Sequence, residues 1–208
     1  MTTGTIERRV KSRPVNIETR ADGTKVISGY AAVFHNPADP GTEYEMWEGA
    51  VERVAPGAFN RAIAEGQDVR CAFNHGDNSL MGRTANKTCR LFVDNVGLRY
   101  EADLPDTTEA RDCAALIARG DVRGSSFSFI SRSVAWTQIE GSSDEIRTLL
   151  DVDLIDVGPV TSPAYASTTA SARDSRSTLE AERTEHRDRK QRDRDEVDVV
   201  RILLTRGD

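Results

Sequence analysis

The sequence predicts an α+β fold: a mostly antiparallel, barrel-like β core flanked by a few helices, followed by a flexible or helical C-terminal tail. Three observations point there. Some seven short stretches alternate apolar and polar residues and are separated by turn residues at hairpin spacing. Only two short helical stretches interrupt them, without one-to-one interleaving, which disfavours a parallel doubly wound sheet. The composition then changes: Ala164 to Ser177 is rich in Ala, Ser and Thr, and Ser171 to Asp208 carries ten basic and ten acidic residues.

Taken in order, residues 1–13 are polar and read as loose. Asp22-Gly23 is a turn between Val15–Ile17 and a strand over Lys25–Phe34, with Gly29 a bulge or a point of close approach. Asn36 to Gly41 holds two prolines and reads as an exposed loop. Glu45 to Val54 is half apolar and leads through Ala55-Pro56-Gly57-Ala58 into a short helix, Phe59 to Glu65, stopped by Gly66. Val69–Phe73 is a strand ending on Asn74-His75. Cys89–Val93 and Leu98–Leu104 form a hairpin. A helix starts at Asp106-Thr107-Thr108-Glu109, with Asp106 as cap and Glu109 reaching back. It buries Ala110, Cys113, Ala114 and Ile117 on one face and ends at Gly120. Ser125–Trp136 and Ile146–Val157 are two long strands joined by Gly141 to Asp144, the second broken by Pro159 and Pro163. Beyond them lies the tail, where Val197–Leu204 is the apolar stretch and a candidate docking segment. The implied organisation is an N-terminal arm and first strand over 1–24, a central domain over 25–164, and a linker with a charged tail over 165–208.

Of 208 residues, 38% are hydrophobic and 30% charged, as expected of a folded core with a solvated tail. The net charge of −6 argues against nucleic-acid binding. Cys71, Cys89 and Cys113 are odd in number and lack metal or disulfide spacing, so a reducing, cytoplasmic compartment is expected, with no metal and no cofactor. Met1 to Lys11 has no apolar segment of a signal peptide, and no run is long enough for a membrane span.

Chemistry concentrates in two places. Gly124-Ser125-Ser126-Phe127-Ser128-Phe129 places hydroxyls where a strand begins, and Phe73-Asn74-His75-Gly76-Asp77 places an imidazole at a strand end. Such a pair can activate a nucleophile if the two come within hydrogen-bond reach. The nucleophile elbow of α/β-hydrolases is excluded, because its last glycine is missing and a strand follows the serine. A serine in Gly-Ser-Ser is by default a loop residue, and a lone histidine a surface one. His35 and His186 lack an ordered setting. Asp77 could orient His75, and so could a carboxylate from Asp151, Asp153 and Asp156; strict alternation turns the first two away from Asp156. Backbone amides from Gly124 to Phe127, or from a neighbouring loop, are candidates for an oxyanion hole.

Several motifs occur together: Glu52 to Phe59, Phe73-Asn74-His75, Met81 to Thr84, Val96-Gly97-Leu98, Leu116 to Gly120, Gly124 to Phe129, and Leu154 to Val157 with Pro163-Ala164. In this order, over about residues 28–170, they resemble the prohead proteases of tailed bacteriophages, serine proteases of capsid maturation similar in fold to the herpesvirus assembly protease. The resemblance implies that His75 is the catalytic histidine, although Gly76 intervenes before Asp77. Ser126, and not Ser125, matches the nucleophile; Ser128 stands where the family commonly has glycine. Asp156 stands at the third position, where the family usually has glutamate, and Gly158 replaces a serine. The implied substrates and partners are the major capsid protein with its scaffold segment, and the protease itself. Self-association and residence inside the assembling prohead, in the host cytoplasm, follow from the same resemblance. A catalytically weak or inactive scaffold or assembly chaperone of the capsid with a protease-like fold is the alternative, and a cytosolic esterase is disfavoured.

Overall fold

The computed structural model describes residues 5–11, 13–161, 177–189 and 191–192. The chain divides into two compact units, Met1–Ala166 and Ser167–Asp208. In the first, the strands are β1 (Glu7–Lys11), β2 (Asn16–Thr19), β3 (Lys25–Val33), β4 (Tyr44–Trp47), β5 (Ala50–Val54) and β6 (Arg70–Ala72). They continue with β7 (Leu80–Arg83), β8 (Cys89–Val93), β9 (Gly97–Asp103), β10 (Gly124–Gln138) and β11 (Glu145–Val160). Two helices, α1 (Asn60–Ala64) and α2 (Thr108–Arg119), interrupt them.

Two sheets result. One has the order β1-β10-β11-β5-β4, with β6 pairing farther along β11 and β7 pairing β6; the other has the order β2-β3-β9-β8. The fold is therefore α+β, but the expected barrel is not what forms: among the described residues neither sheet closes on itself. The first sheet is mixed, because β5 and β6 both run parallel to β11. Each parallel neighbour reaches β11 through a crossover that local alternation does not register.

Other expectations need correction. The supposedly loose N-terminal residues include β1, which pairs with β10 along its whole length. Its inward residues Glu7 and Arg9 are charged, so no apolar alternation marked it as a strand. The half-apolar Glu45–Val54 stretch contributes to an antiparallel hairpin, β4–β5. At α2 the cap is Thr107, whose side chain accepts from the Ala110 amide at 3.3 Å, while Asp106 pairs with Arg111. Pro159 does not break β11. It still pairs with Ser125 on the β10 side, while the pairing with β6 stops at Val157, so the missing N–H is tolerated. The helix near the C-terminus covers 177–189, with a Glu185–Arg189 pair one turn apart. Pro163, the rest of the Ala/Ser/Thr linker and Val197–Leu204 lie outside the described residues.

The core fills the space between the sheets. Phe127 and Phe129 stack at 4.9 Å between ring centres, and Phe59 meets Phe127 edge-on at 5.7 Å. Burying each such ring contributes roughly 2–3 kcal/mol. Ile27, Leu98, Tyr100, Leu149, Val152, Leu154 and Val157 complete this layer. Gly29 is the expected point of close approach: a Cβ there would stand 2.7 Å from Ser125 Oγ. The register irregularity of β3 comes slightly later, between Tyr30 and Ala32.

Candidate active site

The alternation of β10 decides which serine is available. Phe127 and Phe129 face the core. Ser125 faces it too, held 3.1 Å from the Tyr100 hydroxyl. Ser126 and Ser128 therefore share the opposite face, where they are covered by neighbouring groups and fully buried.

His75 reaches this face from the turn after β6. Phe73–His75 is a short 3-10 turn in which Asn74 and His75 both take positive φ, 53° and 57°. Two consecutive non-glycine residues in the left-handed region cost of order 1 kcal/mol each and persist only where the surroundings hold them. Asn74 Oδ1 supplies one such hold by accepting from the Thr161 amide at 2.9 Å. Gly158 supplies another. A Cβ at 158 would sit 2.3 Å from the Ala72 carbonyl oxygen, so glycine lets the backbone before His75 lie directly on β11.

Asp156 arrives by a register irregularity. Ser128 pairs with Asp156 and Phe129 with Leu154, leaving Ile155 as one extra residue on β11. That residue resets the alternation, so Leu154 and Val157 both enter the core while Asp156 leaves it. The expectation that Asp153 and Asp156 point to opposite faces fails for this reason.

The three groups meet. His75 Nε2 lies 2.7 Å from Ser126 Oγ, and His75 Nδ1 lies 2.5 Å from Asp156 Oδ1. Burial pushes the Asp156 carboxyl up, but the bond and charge of His75, a bond from Ser128 and the Arg70 guanidinium outweigh it and leave it below the usual carboxylate range. An ionised Asp156 only accepts, so the proton of the Nδ1 contact belongs to the ring, and the Nε2 lone pair faces Ser126. Arg70 stands 3.4 Å from Asp156 Oδ2. Ser128 Oγ stands 3.1 Å from His75 Nδ1. Ser126 has a second acceptor, the Arg9 carbonyl of β1, to which its hydroxyl donates at 2.8 Å.

Other candidates are placed elsewhere. Asp77 is exposed and pairs with Arg70 rather than with His75. Asp151 and Asp153 bind Arg61, and Asp153 also binds Arg132, an ion-pair group on the surface. The Gly124–Phe127 segment is an interior strand between β1 and β11, so its amides face two ladders rather than an open oxyanion hole. All three cysteines are buried thiols, and burial pushes Cys113 up to about 12. Ser128, Arg70 and the Arg9 carbonyl escaped the sequence reading. Only the hydroxyl in place of a glycine at 128 was a signal.

Residues 11–184 match the family of Caudovirus prohead serine proteases. Among solved structures, the bacteriophage T4 capsid assembly protease, gp21, is similar with a TM-score of 0.52 and 11% identity, covering 78% of this chain and 100% of that one. At that identity the likeness shows the fold alone. No curated protein matches the chain.

Proposed function

The chain belongs to the Caudovirus prohead serine protease family, and from that premise we propose that it is an endopeptidase with Ser126 as nucleophile, His75 as general base and Asp156 as the group that orients it. The observation that carries this reading is the line of contacts Ser126 Oγ–His75 Nε2–His75 Nδ1–Asp156 Oδ1, at 2.7 and 2.5 Å. In the first step the Ser126 hydroxyl turns from the Arg9 carbonyl to Nε2, gives up its proton and attacks the scissile carbonyl. Asp156 stabilises the imidazolium that forms. The imidazolium then protonates the leaving amine, and water repeats the sequence on the acyl-enzyme. Because the amides of β10 are used in its ladders, the oxyanion donors come from a neighbouring loop.

The substrates are the scaffold segment of the major capsid protein and this chain's own 165–208 tail. The setting is the assembling prohead in the host cytoplasm, where copies of the chain associate. Co-expression with the capsid protein tests this: Ser126→Ala should leave both proteins uncleaved, and processing at the normal rate would remove Ser126 from the mechanism.

One observation favours a second reading, a scaffold or assembly chaperone without catalysis: Ser126 is fully buried. A serine-directed fluorophosphonate separates the two, since an enzyme is labelled at Ser126 and a pure scaffold is not.

A further inference from the structure

Arg8 lies just outside the residues that match the family, yet it reaches the candidate triad. It is exposed on β1, directly opposite Ser128 in the β1–β10 register. Its Nε donates to Ser128 Oγ at 3.2 Å. Ser128, fully buried, lies 3.1 Å from His75 Nδ1 and stands directly opposite Asp156 in the β10–β11 register. We propose that Arg8 is a positioning residue for the triad, acting through the Ser128 hydroxyl. This rests on the triad reading given above.

The Arg8 guanidinium can only donate, so its bond occupies a lone pair of Ser128 Oγ and leaves the Ser128 proton to be given elsewhere. Of its two polar neighbours, His75 Nδ1 already carries the proton that goes to Asp156 Oδ1. The carboxylate is then the remaining acceptor. A charged donor behind a hydroxyl polarises it and strengthens the bond it makes in turn. Asp156 is therefore gripped through Ser128 from the β1 side and by Arg70 from the β6 side. That grip keeps Oδ1 in line with Nδ1 and the Nε2 lone pair aimed at Ser126. The strand that hands Ser126 its second acceptor, the Arg9 carbonyl, also sets the direction of the base.

The sign of the pH effect follows from the charges that face the His75–Asp156 pair. Arg8 faces it from β1 and Arg70 from β6. Asp77 stands behind Arg70, and the Cys71 thiol lies on β6. Each donor or cation on Asp156 weakens its hold on an imidazolium. Removing one makes the imidazolium harder to deprotonate, so the acid limb of the reaction moves to higher pH.

The test is the rate of fluorophosphonate labelling at Ser126 of the full chain, followed across the range in which histidine titrates. Variants are Arg8→Ala, Ser128→Ala, the double variant, and Ser128→Thr. Arg8→Ala and Ser128→Ala should each lower the limiting rate by roughly threefold to tenfold, the loss of one hydrogen bond, and move the acid limb upward. The double variant should match Ser128→Ala alone, because Arg8 acts through that hydroxyl. Ser128→Thr, which keeps the hydroxyl, should restore the pH profile. Unchanged profiles in both single variants, or effects that add in the double, overturn the proposal while normal labelling of Ser126 leaves the triad standing. A parent chain that does not label at Ser126 overturns the triad reading and this proposal with it.

Discussion

At Gly158 the backbone of Ala72 comes closer to β11 than any side chain permits, with a prospective Cβ only 2.3 Å from a carbonyl oxygen. A backbone atom cannot swing aside as a side-chain end can. Gly158→Ala should therefore lift the turn that carries His75, and a misplacement of about 1 Å lowers rates by ~100-fold. Labelling of Ser126 in a variant whose far-ultraviolet dichroism is unchanged checks this; wild-type labelling would show that the turn adapts. In the proposed triad, Asp156 acts by fixing a tautomer. Asp156→Asn keeps the size but replaces the acceptor that holds the proton on Nδ1, and should lower the turnover of a peptide substrate by about 10⁴-fold with little change in KM.

Among the elements, β1 borders the site through the Arg9 carbonyl and the Arg8 side chain, and a buried ionic group anchors it. Arg9 binds Glu52 at 2.7 Å and Glu7 at 2.8 Å, and Arg147, with no exposed surface, binds Glu7 at 3.0 Å and also Glu52. Burial disfavours the charged Arg9, yet Glu52 and Glu7 together raise it above its ordinary value. Two cations and two anions balance one another here, so removing one member leaves a charge unpaired. Glu52→Ala should cost about 3–5 kcal/mol in urea denaturation, against a change within about 0.5 kcal/mol for the exposed Glu18→Ala. Hydrogen exchange at β1 should rise in the first variant only. Equal costs would mean that the ionic group is not what fixes the strand.

For the molecule as a whole, the surface ion pairs set the response to acid. Asp153 is held down at about 2, first by its bond to Arg132 and then by Arg61 and Gln67, against a burial effect of opposite sign. Asp103 is lowered by Arg90, and Asp68 by Arg83. Each folded value lies below the ordinary carboxylate value near ~3.9. Their stabilisation is therefore present above about pH 4 and is lost as pH falls toward about 2. The thermal midpoint should drop across that window, and Asp153→Asn should make the drop smaller. A midpoint that stays level from neutral pH through the window would contradict this assignment.

What the sequence determined by itself was local: the hairpin Cys89–Val93 with its partner strand, the helix ending at Gly120, and the two long strands after it. Motif order also singled out His75, Ser126 and Asp156 as candidates. What only the tertiary structure decided was how distant pieces meet. The extra residue at Ile155 that turns Asp156 out of the core appears only when β11 is laid against β10. β1 stayed hidden because its inward face is ionic, and its bonds to Ser126 and Ser128 span 117 and 120 residues of chain. Period-two alternation records which side chains are apolar. It carries no record of a partner strand so far away, or of a buried face satisfied by charge pairing instead of by hydrophobic contact.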